Sequence, residues 1–173
     1  YLGSIHSIET AYEKKDYEQL QKHLRDSKQR YMREQAALYL SRMPYEGIPQ
    51  ERRQTFITNL QQCVNNVQEF DDVRAACAIG LGNWNISQAA NEIIKATPNM
   101  ANDDLYWMCY SLAKLRTPAA LQFLHELEWA GFEVIESIYL INKEKIKCFF
   151  KHYSNAKTDI WKRFNQIPSE ENW

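Results

Sequence analysis

The spacing of apolar residues along the chain predicts helices throughout. Apolar side chains recur every three or four positions, as Tyr17, Leu20 and Leu24 do, and this places them on one face of a helix. No segment alternates apolar and polar residues convincingly, so we expect almost no β-strand. The pattern predicts helices over residues 4–15, 16–24, 30–43, 50–68, 72–84, 87–96, 103–115, 118–129, 132–141, 143–152 and 155–165.

Residues that favour helix ends support these boundaries. Asp16 has a side chain suited to capping the helix that follows it. Pro118 suits a first helical turn, where its missing N–H is not needed. The longest cluster of helix breakers is 44–49, with a proline at each end and a glycine between. In the long helix 50–68 we expect four residues to face inward: Phe56, Leu60, Cys63 and Val67.

One helical phrase occurs three times. Residues 73–84 are followed thirty-one residues later by a similar segment, 105–115, in which Cys109 takes the place of Ala78. An earlier copy, 32–43, aligns with a shift of 41 residues, and the breaker cluster accounts for the longer interval. A helical phrase with a period of roughly 20–50 residues predicts a solenoid of stacked helix pairs. Solenoids present an extended concave surface to a partner.

The repeated phrase resembles the short HEAT repeat of phycobilisome-lyase-like proteins. The residues that carry the likeness are Val73, Arg74, Cys77, Ala78, Gly80, Leu81 and Gly82. The likeness is strong over 70–127 and fair over 16–43. It implies an all-α, right-handed α-solenoid of about four to five helix pairs. It also implies that the concave side is lined by helices 30–43, 72–84, 103–115 and 132–141. The family includes scaffolds, inhibitors and a few enzymes, so the likeness indicates a fold rather than a function.

The chain length fits one continuous core. A chain of 173 residues is long enough for a single domain, so we expect one solenoid domain over 1–173. Its N-terminal repeat and cap are expected at 1–43, its central repeats at 50–129, and its C-terminal repeat and cap at 132–173. The last helices match the repeated phrase poorly, which is typical of a capping unit.

The four cysteines indicate buried thiols rather than a metal or disulfide framework. They lie far apart, and Cys77 and Cys109 occupy apolar positions of the repeat. Small buried thiols are typical of a reducing compartment, so we expect a cytoplasmic protein. No apolar run approaches the length of a membrane span. The four histidines are scattered, and P-loop, GxGxxG and GxSxG motifs are absent, so we expect no cofactor, no metal and no enzymatic activity.

Charge is distributed unevenly along the chain. Residues 61–140 carry four Lys and Arg against ten Asp and Glu, a net charge of −6. Residues 1–60 carry +2 and residues 141–173 carry +3. An acidic solvated face is the simplest interpretation, and recognition of a positively charged partner is the functional alternative.

Two aspartate pairs recur with the repeat. Asp71 and Asp72 precede one expected concave-side helix, and Asp103 and Asp104 precede the next. Helix capping and favourable interaction with the helix dipole would explain them. The alternative is an acidic ridge for a partner, because equivalent turns of a solenoid lie along one edge. The first copy departs from this pattern, since Arg30 lies in the matching turn.

Aromatic residues replace smaller or polar ones in the third copy of the phrase. Tyr106, Trp107 and Tyr110 lie where the second copy has two alanines and an isoleucine. They are candidate anchors for a partner, because aromatic residues dominate the energetics of interfaces. Extra core packing is the alternative. Glu133 and Glu136, on the fourth concave-side helix, complete the candidate set.

These features favour a small protein-binding module over an enzyme. We expect the acidic concave face to engage a basic partner protein, with no nucleic acid and no membrane involved. A bacterial immunity or inhibitor protein is a narrower form of this hypothesis. The alternatives are a HEAT-like DNA glycosylase, in which Trp107 and Asp103 would lie in the groove, a chromophore lyase, and a fragment of a longer scaffold. An acidic middle argues against DNA binding, because phosphate contacts dominate DNA affinity.

Overall fold

The computed structural model of the protein describes residues 2–100 and 102–130, and all regular secondary structure there is helical. Eight α-helices lie in this part of the chain: α1 (Leu2–Glu13), α2 (Tyr17–Asp26), α3 (Arg30–Ser41), α4 (Gln50–Asn65), α5 (Asp71–Asn83), α6 (Ala90–Ala96), α7 (Asn102–Leu115) and α8 (Pro118–Ala130). Three short 3-10 helices, Tyr45–Gly47, Ser87–Ala89 and Thr97–Asn99, lie between them. No β-strand occurs among these residues, which confirms the all-α prediction.

Most helix ends follow the predicted signals, with two corrections. The Asp16 carboxylate accepts a hydrogen bond from the Gln19 N–H at 3.1 Å, so it caps α2 as expected. Helix α4 ends at Asn65 rather than at residue 68. The prediction that Val67 faces inward is therefore wrong, and its side chain is 76% exposed. The first aspartate pair does not supply the N-cap residue of α5, which is Phe70, but both aspartates lie in the first turn, where the helix dipole favours a negative charge.

The helices pack as two layers. Helix α5 packs against α3 on one side and α7 on the other, so these three helices form one layer. Helix α6 contacts both α4 and α8, and these form the second layer, with α4 packed on α5 and α8 on α7. Helices α1 and α2 pack against α3 at the N-terminal end.

Small residues let α5 and α7 approach closely. A Cβ atom added at Gly82 would lie 2.6 Å from the Ser111 Oγ and 3.0 Å from the Ser111 Cα. The Ser111 hydroxyl donates a buried hydrogen bond to the Ala78 carbonyl at 2.6 Å. Both contacts join α5 to α7, so small residues of the repeated phrase form the seam between these helices.

The helices of the second and third copies of the phrase are followed by the same backbone conformation. Asn85 and Arg116, thirty-one residues apart, both have left-handed backbone, with φ of 57° and 56°. In the first copy the corresponding residue is Pro44, whose φ is −62° because its ring fixes that angle. The chain therefore takes a longer path after α3. The Trp84 indole bridges the two copies by donating to the Met43 carbonyl at 2.9 Å.

The expected C-terminal repeat and cap, 132–173, lies outside the described residues, as do the helices expected there. Every helix in the described part of the chain is too short or too polar to cross a lipid bilayer.

Candidate functional site

A groove of about 540 Å³ runs across α3, α5 and α7. These are three of the four helices that the repeat predicted on one side of the molecule. The groove is lined by Glu34, Leu38, Ser41, Arg42, Asp72, Ala75, Ala76, Ile79, Asn83, Asp103, Asp104, Trp107 and Tyr110. We call the cavity that these residues line the groove.

Repeat-equivalent residues form the apolar middle of the groove. Leu38, Ile79 and Tyr110 occupy the same position in the three copies, and all three line it. Ala76 and Trp107 share the neighbouring position in the second and third copies. The side chains of α5 are short here and those of α7 are long. The floor of the groove is therefore formed by α5 and one wall by the aromatic residues of α7.

Carboxylates from all three helices meet at one end of the groove. Glu34 belongs to α3, Asp72 to α5, and Asp103 and Asp104 to α7. Burial raises the pKa of Glu34, and the negative charge of Asp72 raises it further. The pKa of Asp104 is raised for the same two reasons, in the same order. Repulsion between these groups makes the acidic end favourable for a positively charged ligand.

Arg30 partly neutralises this end from the rim. Its Nε lies 3.4 Å from an Asp72 carboxylate oxygen, and its guanidinium lies over the Phe70 ring, 4.8 Å from the ring centroid. The Asp72 carboxylate also accepts a hydrogen bond from the Val73 N–H at 2.8 Å. Asp72 is therefore held in place, with a cation on its outer side.

Trp107 and Tyr110 form the aromatic wall, and the buried ring of Tyr106 packs against Trp107 from the core. The centroids of Tyr106 and Trp107 are 4.7 Å apart, those of Trp107 and Tyr110 are 5.4 Å apart, and both pairs are T-shaped. Tyr110 donates a long hydrogen bond of 3.4 Å to the Asn83 side chain, and burial raises its pKa. These contacts hold the half-buried Trp107 in a fixed orientation, with rings on two sides.

The opposite end of the groove is polar and carries a cation. Arg42, Ser41 and Asn83 lie there, and the Asn83 side chain donates to the Ser41 carbonyl at 3.1 Å. Arg42 is the C-cap residue of α3, eight residues after Glu34, which corresponds to about 12 Å along a helix. Its guanidinium lies 5.2 Å from the Tyr39 ring centroid. The groove is therefore acidic at one end, apolar in the middle and basic at the other end.

Five of the nine predicted site residues line this groove: Asp72, Asp103, Asp104, Trp107 and Tyr110. Tyr106 does not, because it is only 3% exposed and belongs to the core. Asp71 is outside the groove as well, with its carboxylate 3.7 Å from the Arg74 guanidinium. Glu133 and Glu136 lie outside the described residues.

Sequence reasoning missed four polar residues of the groove: Glu34, Ser41, Arg42 and Asn83. In the first copy of the phrase, Glu34 occupies the position that Ala75 and Tyr106 occupy in the second and third copies. This equivalence was the one signal in the sequence that connected Glu34 with the groove. Glu34 is not part of a recognisable sequence motif. Its part in the acidic end becomes visible only once α3 and α7 lie on either side of α5.

The thiols offer no reactive centre in the groove. Cys77 and Cys109 are buried and unpaired, as predicted. Burial raises the pKa of Cys109 to about 12, and it raises that of Cys77 as well. Thiols held in the protonated form are poor nucleophiles. Within residues 2–100 and 102–130, no group of three His, Cys, Asp or Glu residues is arranged to hold a metal ion.

Comparison with known proteins finds no match. No protein-family model, no curated protein and no solved structure is similar to the chain. The groove itself must therefore support any functional conclusion.

Proposed function

We propose that the protein is a helical-repeat binding module of the HEAT type, whose groove engages a basic partner protein. The observation that carries this proposal is the meeting of carboxylates from three successive helices beside the half-buried Trp107. Electrostatic attraction would speed the encounter, and the aromatic wall would supply much of the affinity.

The arrangement of helices supports the repeat part of the proposal. Equivalent residues of the three copies line one face, and the second and third copies end in the same left-handed turn. Two layers with successive helices side by side are what a right-handed α-solenoid requires. The groove would then be part of its concave side.

Site-specific photo-crosslinking in extracts of the native host tests the binding role. A photo-reactive amino acid at Leu38, inside the groove, should capture a protein with an isoelectric point above about 9. The same group at Gln54, exposed on α4, is the matched control. Capture from Leu38 alone, lost in a Trp107→Ala variant, is the expected result. Equal capture from both positions, or an acidic partner, would contradict the proposal.

An inhibitor of a basic enzyme is the narrower form of the proposal. A bacterial immunity protein that neutralises a nuclease-like toxin would need an acidic surface complementary to the enzyme's DNA-binding face. Co-expression distinguishes this form: growth arrest by the captured partner should be relieved by the wild-type protein and not by Trp107→Ala.

A DNA glycosylase is the second candidate, because Trp107, Asp103 and Asp104 share one groove. The carboxylates make DNA binding unfavourable, since an anionic groove repels phosphates. We therefore expect no sub-micromolar binding of duplex DNA at about 150 mM salt in a fluorescence anisotropy titration. Tighter binding would favour the glycosylase over the protein-binding module.

A further inference from the structure

We infer that the acidic end of the groove receives an arginine side chain of the partner, an inference that rests on the proposed binding function. It specifies the residue that the groove recognises. The chain itself already holds one arginine, Arg30, at the rim of this end.

Arg30 shows how a guanidinium binds at this end. It lies over the Phe70 ring at 4.8 Å from the ring centroid and places its Nε 3.4 Å from Asp72. An aromatic ring on one side and a carboxylate at the edge satisfy both the planar face and the N–H groups of a guanidinium. The interaction is at the surface, since the Arg30 side chain is 54% exposed.

The interior of the groove offers the same two kinds of group in a more buried setting. Asp104 and Glu34 lie at the same end as Asp72, and Trp107 continues the wall from α7. Among the described residues that line the groove, the one cation is Arg42, at the far end. Burial is the main cause of the raised pKa of each group, and a cation bound beside Glu34 and Asp104 would offset the charge repulsion that adds to it.

The placement of the carboxylates favours a guanidinium over an ammonium group. Glu34 and Asp104 belong to helices on opposite sides of α5, so one ligand between them must donate in more than one direction. A guanidinium has five N–H donors in a rigid planar fork, stacks on aromatic rings and is weakly hydrated. An ammonium group is more strongly hydrated and does not stack.

Three capped tripeptides, acetyl-Gly-X-Gly amide with X as arginine, lysine or citrulline, test this recognition on the full chain. The readout is the indole N–H signal of Trp107 in nitrogen–proton NMR spectra, assigned with Trp107→Phe. The signal of Trp84 is the internal control, because its indole is buried and hydrogen-bonded to the Met43 carbonyl.

The arginine peptide should shift the Trp107 signal saturably, and the lysine peptide should bind about fivefold more weakly. Citrulline keeps the planar shape without the charge and should produce no saturable shift. Equal binding of lysine and arginine would overturn the inference, as would saturable binding of citrulline or equal shifts of Trp84 and Trp107.

Substitutions on the protein provide the second arm. The double variant Glu34→Gln, Asp104→Asn should bind the arginine peptide about tenfold more weakly. Glu51→Gln, on the exposed side of α4, removes a charge far from the groove and should leave binding unchanged. Arg30→Ala should tighten binding about threefold, because it removes a competing cation from Asp72. Unchanged binding in the double variant would contradict the inference, and so would weaker binding in Arg30→Ala.

The outcomes separate this inference from the proposed function. Arginine-selective binding of the peptides without any basic partner in the crosslinking experiment would reject the proposed function alone. A basic partner captured at Leu38, but whose binding survives replacement of its interface arginines by lysine, would reject the arginine inference alone.

Discussion

Helices α5 and α7 carry the same repeated phrase and use it differently. Every residue of α5 from Val73 to Gly82 is buried, because α3, α4 and α7 all pack against this helix. In α7 the positions equivalent to two alanines and an isoleucine hold aromatic residues, two of which line the groove. One copy therefore provides close packing, and the next provides a wall. The difference shows that equivalent repeat positions can pack in the core in one copy and line a groove in the next.

The largest expected effect is on stability, and it distinguishes the two neighbouring aromatic residues Tyr106 and Trp107. Tyr106→Ala removes a buried ring and should lower the free energy of unfolding by about 3–5 kcal/mol. Trp107→Ala is the matched neighbour and should cost much less stability, because Trp107 is only half buried. Chemical denaturation measures both. Equal losses would mean that Trp107 is a core residue.

The seam between the two helices should be nearly as sensitive. Gly82→Val places a branched side chain against the backbone of Ser111 and should cost about 3 kcal/mol through overpacking. Ala119→Leu, at an exposed position of α8, adds more volume and should change stability by less than about 0.5 kcal/mol. A well-folded Gly82→Val variant with wild-type stability would show that α5 and α7 can separate without cost.

For binding we expect the reverse of the order predicted for stability, with Trp107 more important than Tyr106. Trp107→Ala should weaken binding of the partner by about 2 kcal/mol or more, because anchors in the middle of an interface dominate its energetics. Calorimetric titration with the partner that photo-crosslinking identifies measures this loss of affinity. Trp84→Phe is the control, since Trp84 is buried and does not line the groove, and the change removes its hydrogen bond to the Met43 carbonyl. Wild-type affinity in Trp107→Ala would assign this ring to folding alone.

The repeat in the sequence predicted the helices of the groove but not the direction of every side chain. Successive residues of a helix are about 100° apart, so Tyr106 and Trp107 cannot both face the same side. The alignment marked both as unusual, and only packing against the neighbouring helices shows that Tyr106 lies in the core. Asp71 and Asp72 divide in the same way, with Asp72 facing the groove and Asp71 facing Arg74.

Long-range electrostatics were beyond the reach of the sequence for a physical reason. The raised pKa of Glu34 depends on burial and on Asp72, which is 38 residues away in the chain. Arg33 and Glu69 are similarly distant, yet they form a two-bond ion pair with both distances at 2.8 Å. No local pattern distinguishes a glutamate that will face other carboxylates from one that will face an arginine.

Charge at the acidic end should affect the rate of association more than its strength. Asp103→Lys should slow association with the basic partner roughly three- to tenfold at low salt, because it weakens electrostatic steering. The effect should shrink as salt screens the charges. Stopped-flow measurements over a range of salt concentrations provide the test, with Glu51→Lys on α4 as the control. A change confined to the dissociation rate would argue against steering.

The smallest expected effect is a pH-dependent change in melting temperature. It distinguishes carboxylates with a raised pKa, such as Asp104, from carboxylates with a lowered pKa, such as Glu69. Asp104 has a pKa raised above 3.8 in the folded protein, so folding disfavours its charged form. Its contribution to stability is therefore greatest at low pH and is lost as pH rises through the raised pKa. Asp104→Asn should raise the melting temperature slightly at pH 7 and leave it unchanged well below pH 4. The same reasoning applies to Glu34→Gln, since the pKa of Glu34 is raised above 4.5.

Glu69, in the connection between α4 and α5, provides the opposite case. Its pKa is lowered, chiefly by the hydrogen bonds from Arg33, so its stabilising effect is present above its ordinary pKa and is lost on acidification. Glu69→Gln should therefore lower the melting temperature at pH 7, and this loss should shrink as the pH falls through the lowered pKa of Glu69. Melting curves of both variants from pH 3 to 8 decide the matter. If Asp104→Asn and Glu69→Gln shift the curves in the same direction at pH 7, the acidic end of the groove carries no stored repulsion for a cation to relieve.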